Sequence, residues 1–261
     1  MNYFEIHLVE HCNLNCKSCD NYSPIAKEEY LDIKSFENDM KRMRELFSNI
    51  SLIRLLGGEP LLHPQLILFI KVIRKYFKIK ETNIRITTNA ILLNKMPKEF
   101  WECCHENNIS IEYTHYPIHI DRHNYQHLAE QYGVTLMTFN WDYNDKKTSH
   151  RMTVTDKKNN DLIDYNFEHC HLVEWGCISL RKGKIYPCSC IPNIYHFNKF
   201  FNKNLEVTEN DYISIYEHTA EEIDNFLKHS VPFCGYCNVI KRQFNNKWEI
   251  SKYNINEWYD E

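Results

Sequence analysis

The chain reads His11-Cys12-Asn13-Leu14-Asn15-Cys16-Lys17-Ser18-Cys19 directly after the apolar run Tyr3 to Val9. A loop this short can turn three sulfur atoms toward one point, but it contains no fourth cysteine. Thiolates are soft ligands, and a dense cysteine loop favours iron–sulfur clusters. Three thiolates hold three irons of a four-iron cubane and leave the fourth iron open to another ligand. A zinc site normally closes with four ligands, and beside this loop only His11 is available as a fourth. The stretch therefore predicts a [4Fe–4S] cluster on Cys12, Cys16 and Cys19.

A second motif, Leu55-Leu56-Gly57-Gly58-Glu59-Pro60, follows another apolar run. Glycines let the backbone approach a ligand closely, and a carboxylate accepts hydrogen bonds from an ammonium group. Alone, this motif is an ordinary loop more often than a site. Together, C-x3-C-x2-C and Gly-Gly-Glu-Pro resemble the radical S-adenosylmethionine (radical SAM) enzymes. The resemblance implies that the open iron binds SAM and that Gly57, Gly58 and Glu59 bind the amino group of its methionine.

Length and composition limit the class of protein. The 261 residues suffice for one large domain or for one domain with an appendage, and 43% hydrophobic content supports a real core. A net charge of -4 without a basic cluster argues against a nucleic-acid partner. We find no signal peptide and no apolar run long enough for a bilayer, and therefore expect a soluble cytoplasmic protein without a membrane partner. In such a chain, 11 cysteines indicate metal or catalytic roles more than disulfides.

Strand and helix patterns alternate along the first half of the chain. We predict strands at Tyr3–Val9, Ile50–Leu56, Asn83–Thr88, Ile109–Thr114 and Val134–Phe139, and helices at Ser35–Phe47, Gln65–Phe77, Pro97–Asn107 and His123–Tyr132. Such alternation with short connections is typical of parallel βαβ units. A sixth unit would lie within the polar residues 140–168. The resemblance implies a partial (β/α)6 barrel over residues 1–168, followed by a smaller domain over residues 169–261.

Further SAM contacts are expected where parallel strands end, because ligands gather at their carboxyl ends. Asn89 lies in Thr87-Thr88-Asn89-Ala90, which resembles the family's T-T-N-G turn beside SAM. A polar turn that only caps a strand is the alternative. Many family members carry an aromatic residue just before the third cysteine, near the adenine, but this chain has Ser18 there. The adenine contact is therefore expected from the backbone or from Tyr22.

A second set of cysteines begins at residue 170. Apolar residues alternate on both sides of Lys182-Gly183, which predicts a β-hairpin that pairs Arg181 with Lys184. By this register Cys177 stands opposite Cys188, and opposed residues have Cβ atoms about 4.5–5.5 Å apart. After a predicted helix at Ala220–His229, a distant loop adds a C-x2-C pair. The full set is Cys170, Cys177, Cys188, Cys190, Cys234 and Cys237.

This set resembles the "twitch" domain, a shortened form of the SPASM extension of radical SAM enzymes. The resemblance implies one auxiliary [4Fe–4S] cluster, with five candidates for four positions: Cys170, Cys177, Cys188, Cys234 and Cys237. Hairpin geometry favours Cys177 beside Cys188, whereas the spacing of the aminocyclitol dehydrogenase type favours Cys170. A structural zinc and a redox disulfide remain the alternatives for the same residues.

The family resemblance implies reductive cleavage of SAM to a 5′-deoxyadenosyl radical, which takes a hydrogen atom from the substrate. An electron donor such as flavodoxin or ferredoxin is then required. The cysteine loop resembles radical SAM proteins of polysaccharide-modifying gene clusters, so we expect a small polar, carbohydrate-like or nucleotide-linked substrate. The auxiliary cluster would serve dehydrogenation or epimerisation.

Two other functions stay open. Modification of a ribosomally made peptide is the enzymatic alternative, although a first strand at Tyr3 leaves no room for a peptide-binding segment before it. An iron–sulfur electron carrier or redox sensor is the non-enzymatic alternative, and Gly-Gly-Glu-Pro weighs against it. Nothing in the sequence selects a catalytic acid or base among His115, His119 and Glu174.

Overall fold

The computed structural model describes residues 1–138 and 148–261, without the side chains of residues 148–150 and 245. These residues form two compact units. The first unit contains residues 1–9 and 29–138, and the second contains residues 10–28 and 148–261. The cysteine loop thus belongs to the second unit, although the strand that precedes it belongs to the first. The predicted division into residues 1–168 and 169–261 stays a prediction.

The first unit is a parallel sheet with helical connections. Its strands and helices are β1 (Tyr3–Val9), α1 (Ile33–Leu46), β2 (Leu52–Gly57), α2 (Leu66–Tyr76), β3 (Asn83–Thr88), α3 (Lys98–Glu106), β4 (Ile109–Tyr113), α4 (Arg122–Tyr132) and β5 (Leu136–Thr138). The strands lie in the order β5-β4-β3-β2-β1, and every neighbouring pair is parallel. Right-handed crossovers through helices are the ordinary way to connect such strands. The predicted fold class, a mixed α/β fold consistent with a partial radical SAM barrel, is confirmed.

Side chains alternate between the two faces of this sheet, as a strand requires. Phe4, Ile53 and Ile111 belong to the fully buried apolar core. The alternate positions carry charge: the Glu112 carboxylate pairs with the guanidinium groups of Arg54 at 2.8 Å and Arg85 at 2.9 Å. Because a buried carboxylate is costly unless it is paired, this network lets the sheet carry polar groups on one face.

Gly57 ends β2 in a conformation that other residues rarely adopt, with φ at 146°. A Cβ atom at this position would lie 2.2 Å from the carbonyl oxygen of Val9. The next residue, Gly58, donates its N–H to that same oxygen at 2.7 Å. The close approach of β1 and β2 therefore explains why the first residue of Gly-Gly-Glu-Pro is a glycine, without reference to a ligand.

The second unit combines antiparallel strand pairs with helices. It contains β6 (Thr148–Arg151), α5 (Ile163–Glu168), α6 (His171–Glu174), β7 (Ser179–Arg181), β8 (Lys184–Tyr186), α7 (Cys190–Phe201), β9 (Ile213–Ser214), α8 (Ala220–Phe226) and β10 (Gln243–Lys247). β7, β8 and β9 are antiparallel neighbours, and β10 pairs antiparallel with β6. The hairpin register that joins Arg181 to Lys184 is confirmed.

The described residues 148–168 differ from the expectation of a sixth parallel unit. Residues 139–147, which include the end of the fifth predicted strand, lie outside the described residues. β6, which follows them, pairs antiparallel with β10 near the end of the chain. The partner is almost 100 residues away in sequence, and local periodicity carries no signal for it. Within the described ranges, no helix is long and apolar enough to cross a bilayer.

We predict that Gly57→Ala destabilises the protein strongly. The new methyl group would meet backbone atoms, which cannot rotate away, in a conformation unfavourable for alanine. The expected loss is about 3 kcal/mol in the free energy of unfolding, measured by chemical denaturation. Gly58→Ala is the matched control, with an expected loss below about 1 kcal/mol. Equal losses in the two variants would contradict the role given to Gly57.

Candidate functional site

The three cysteines of the predicted cluster lie half-buried on one turn of the second unit. Leu14 donates its backbone N–H to the Cys12 sulfur at 3.3 Å. Burial and the nearby Cys16 thiol raise the pKa of Cys19 to about 12. Ser18 adopts a left-handed conformation with φ at 57°, which is uncommon for a residue other than glycine and bends the chain between the last two cysteines. Ser18 therefore turns the chain between Cys16 and Cys19.

Residues 249–258, called here the C-terminal strap, hold this loop through hydrogen bonds. The backbone N–H of Lys17 donates to the carbonyl oxygen of Glu249 at 2.9 Å. In the other direction, the backbone N–H of Ser251 donates to the carbonyl oxygen of Asn15, also at 2.9 Å. The Trp258 indole N–H donates to the carbonyl of Cys19 at 2.9 Å. These bonds satisfy backbone groups of the loop, so the strap fixes the loop's conformation.

The residue before the loop is anchored as well. The Glu10 carboxylate accepts from Arg181 at 2.9 Å and contacts the imidazole of His196 at 3.0 Å. Arg181 belongs to the hairpin strand β7 and His196 to α7, so two elements hold the start of the loop. All three side chains are largely buried, where charged hydrogen bonds are strong.

Glu59 organises the strand ends of the first unit. Its side chain is fully buried, and one carboxylate oxygen accepts from the N–H of Leu61 at 3.0 Å and from the hydroxyl of Thr88 at 2.6 Å. The other oxygen accepts from the N–H of Asn89 at 2.9 Å. The structure thus joins the Gly-Gly-Glu-Pro turn to the Thr-Thr-Asn-Ala turn. The donors that occupy this carboxylate belong to the chain itself, so any bond from a SAM ammonium group would be an additional one.

Tyr22 lies in the hydrophobic core of the second unit. Its ring packs against Phe197 and Trp258, with centroids 5.8 and 6.2 Å away, and it is 2% exposed. Its hydroxyl is 3.1 Å from the sulfur of Cys190. The predicted contact with an adenine would require this ring to leave its packing, so Tyr22 has a structural role here that the sequence did not indicate.

The second cysteine set comes together inside that same core. Burial raises the pKa of Cys188, and the thiols that raise it further are Cys190, Cys170, Cys237 and Cys234. The paired strands of the hairpin end at Ser179 and Tyr186, and Cys188 lies just before α7 rather than in the ladder. The Cys170 thiol lies near Cys188, and Cys177 packs at the edge of the same core.

Cys190 is the cysteine that the sequence analysis left out of the ligand candidates. It is the first residue of α7, which was not predicted because Pro192 in the first turn interrupts the apolar pattern. A proline is nevertheless tolerated there, since the first turn has no internal acceptors for its N–H groups. The spacing Cys188-x-Cys190 was the available signal.

The donor set suits an iron–sulfur cluster in its chemistry. Soft thiols predominate. The buried Nε of Arg242 has no hydrogen-bond partner among the described residues, although Nη1 of the same guanidinium donates to the Cys170 sulfur at 3.0 Å. A thiolate or sulfide acceptor would satisfy that nitrogen. In the described part of the chain, no three His, Cys, Asp or Glu side chains are placed to hold a metal ion. The assignments of cysteine ligands therefore stay predictions.

The acid–base candidates have local surroundings that differ from one another. His115 contacts Arg122 at 3.0 Å in the first unit, and Glu174 contacts His171 at 2.8 Å in the second. His119 is exposed in the loop before α4. None of these contacts distinguishes one residue as a catalytic acid or base.

Comparison with known proteins identifies the family. The model of the Radical SAM superfamily matches residues 6–152, more than half of the chain. This protein belongs to the radical SAM superfamily. Cys12, Cys16 and Cys19 and the Gly-Gly-Glu-Pro motif lie within the matched range.

Sequence relatives match only part of this chain. GTP 3′,8-cyclase of Aliarcobacter butzleri is 32% identical over 100 residues, which are 38% of this chain and 30% of the relative. The enzyme of the same name from Trichodesmium erythraeum is 30% identical over 118 residues, 43% of this chain and 35% of the relative. The chain thus spans about a third of the length of the curated relatives it matches.

Solved structures share the fold over almost the whole chain. The crystal structure of BtrN in complex with AdoMet and 2-DOIA has a TM-score of 0.59 and 18% identity, covering 91% of this chain and 93% of BtrN. Native anSMEcpe with bound AdoMet and Cp18Cys peptide has a TM-score of 0.53 and 14% identity, covering 89% and 84%. At these identities the likeness shows the fold alone.

We predict that Trp258→Phe loosens the cysteine loop, because the indole N–H that bonds the Cys19 carbonyl is lost. The loss of the bond and some packing should cost about 1–2 kcal/mol. Anaerobically purified protein should then release iron to a chelator roughly 5- to 30-fold faster. Trp175→Phe is the control, since Trp175 is 49% exposed. Equal release rates for Trp258→Phe and the unaltered protein would contradict the role of the strap.

Glu59 should give stability a particular dependence on pH. Burial raises the pKa of Glu59 from 4.5 to about 7, so between these values the folded protein binds more protons than the unfolded chain. The contribution of Glu59 to the free energy of unfolding is therefore fully present below about pH 4.5 and is lost as the pH rises through about 7. Glu59→Gln removes this dependence and leaves the N–H of Asn89 facing an amide, at a cost of about 1–3 kcal/mol.

Chemical denaturation of the unaltered protein and of Glu59→Gln, in steps of about half a pH unit from about pH 4.5 to about pH 7.5, tests the direction of this pH dependence. The stability difference between the unaltered protein and Glu59→Gln should narrow as pH rises. A difference that widens with pH would show that the carboxylate is better stabilised as an anion than its burial indicates.

Proposed function

We propose that this radical SAM protein is an enzyme that uses SAM to take a hydrogen atom from a small polar, carbohydrate-like substrate. The observation that carries the proposal is the C-x3-C-x2-C loop, whose conformation is fixed by the C-terminal strap, within a chain of this family. Cys12, Cys16 and Cys19 are the proposed ligands of a [4Fe–4S] cluster. When bound, the cluster and SAM supply the 5′-deoxyadenosyl radical chemistry of the family.

In this proposal, residues of the chain bind SAM and orient it. The turn of Gly57, Gly58 and Glu59 is the proposed site for the amino group of the SAM methionine, with Asn89 beside it. The internal bonds of Glu59 support this role indirectly, because they hold the two turns in one arrangement. Such rigidity lowers the entropic cost of binding a cofactor.

An auxiliary [4Fe–4S] cluster in a twitch-like domain over residues 169–261 is the second part of the proposal. Its proposed ligands are Cys170, Cys188, Cys234 and Cys237, with Cys177 as the alternative to Cys170 and with Cys190 near Cys188. The mutual effects of these thiols on one another's pKa support the grouping. Such a cluster would exchange an electron with the substrate, which suits dehydrogenation or epimerisation.

The comparisons bear on the substrate in different ways. BtrN, which shares the fold over 91% of this chain, was crystallised with AdoMet and 2-DOIA. This coverage, together with the cysteine spacing, supports a compact enzyme for a small cyclic or sugar-like molecule, oxidised or epimerised in the cytoplasm. A flavodoxin or ferredoxin is the proposed electron donor.

Peptide modification is the second candidate function. The structure of anSMEcpe, which was solved with AdoMet and a peptide, covers 89% of this chain. Substrate-dependent consumption of SAM distinguishes the two candidates. An added peptide should stimulate it if the protein modifies peptides, whereas an added sugar or nucleotide-linked sugar should stimulate it if the first proposal holds.

Two cysteine variants test the proposal. Cys16→Ala should abolish formation of 5′-deoxyadenosine from SAM and dithionite, because the SAM-binding cluster loses a ligand. Cys234→Ala should retain SAM cleavage while iron falls from about eight to about four atoms per chain. Both quantities are measured on anaerobically reconstituted protein by chromatography and iron analysis.

Cys103→Ala is the control for loss of a buried thiol, since Cys103 lies in α3 of the first unit and belongs to neither cysteine set. It should leave iron content and SAM cleavage unchanged. A chain that binds its iron fully and produces no 5′-deoxyadenosine would be an electron carrier, which would overturn the enzymatic proposal.

A further inference from the structure

Arg242 is a charged residue placed among the thiols of the second cysteine set. It stands just before β10, and its guanidinium Nη1 donates to the Cys170 sulfur at 3.0 Å. Burial raises the pKa of Cys237 to about 11, and both the charge of Arg242 and its hydrogen bond oppose that rise. One guanidinium therefore acts on thiols from two distant parts of the sequence.

Three thiols lie near the guanidinium group of Arg242. Proximity to the Cys237, Cys170 and Cys190 thiols raises the pKa of Arg242 above its usual range, in spite of burial. The Nε–H of Arg242 is buried and has no hydrogen-bond partner in the described structure. A buried cation with an unused donor is costly unless negative charge or further acceptors are present. Thiolates and the sulfides of a cluster would supply both.

A positive charge beside an iron–sulfur cluster has a defined consequence. Adding an electron makes the cluster more negative, so a nearby cation stabilises the reduced form more than the oxidised form. Hydrogen bonds to the ligand sulfurs act in the same direction, and both effects raise the reduction potential. Because Arg242 is largely buried, solvent screens its charge less than that of a surface lysine.

We propose that Arg242 is a positioning residue that holds the Cys170 thiolate and raises the reduction potential of the auxiliary cluster. This inference rests on the proposed function, since it requires that cluster. A raised potential makes the cluster a better acceptor for an electron from the substrate. The residue itself touches neither substrate nor SAM in this scheme.

The test is a potentiometric titration followed by electron paramagnetic resonance on anaerobic full-length protein. Arg242→Gln removes the charge, and Arg242→Lys keeps the charge but loses the planar fork that bonds sulfur. Lys241→Gln is the matched control, because it removes an exposed positive charge one residue away. A background in which Cys12, Cys16 and Cys19 are all alanine isolates the signal of the auxiliary cluster, and the same titration is repeated in the complete protein.

We expect the midpoint potential to fall in Arg242→Gln, to fall less in Arg242→Lys, and to stay unchanged in Lys241→Gln. An unchanged potential in Arg242→Gln, with iron still near eight atoms per chain, would overturn the inference and leave the proposed function standing. Should Arg242→Gln lose the cluster, Arg242→Lys decides: a lower potential supports the proposal and an unchanged one overturns it. About four iron atoms in the unaltered protein would overturn the auxiliary cluster itself, and the role of Arg242 with it.

Discussion

The thiols of Cys12, Cys16 and Cys19 must point to one place, and the loop that carries them is too short to enforce this alone. Ordering such a loop costs conformational entropy for every residue fixed. The structure offsets that cost with hydrogen bonds from the C-terminal strap, whose partners are more than 200 residues away in sequence. Glu10 adds a buried anchor at the start of the loop. The conformation of the cysteine loop therefore depends on contacts with residues 249–258 and with the anchor at Glu10.

The first unit solves a different problem, which is to present polar groups at the ends of buried strands. Gly57 allows β1 and β2 to approach so closely that no side chain fits between them. Glu59 then crosses from the end of β2 to the end of β3 and satisfies both oxygens with donors of the chain. A buried carboxylate with several donors is tolerated where an unpaired one would not be. The same turns that carry the family motif are thus structural corners of the sheet.

Local sequence patterns predicted the secondary structure, which depends on interactions between residues close in sequence. The alternation of strands and helices and the Lys182-Gly183 hairpin follow from periodicity and turn chemistry, and the structure has them. Contacts between distant segments were not readable: the pairing of β10 with β6, the strap on the cysteine loop and the burial of Tyr22 against Cys190 depend on tertiary packing. Extending the hairpin register to Cys177 and Cys188 failed for a related reason, because the chain leaves the ladder to begin α7. Spacing identified the thiols, but only packing could show which of them adjoin.

The central claim is that the cysteine loop holds a cluster with one iron open to SAM. Mössbauer spectroscopy of anaerobically purified, iron-57-enriched protein tests it most directly, recorded before and after SAM is added. We predict that one iron of a four-iron cluster changes its isomer shift on addition of SAM, and that this change is absent in Cys16→Ala. A spectrum that SAM leaves unchanged, with the cluster intact, would contradict the account.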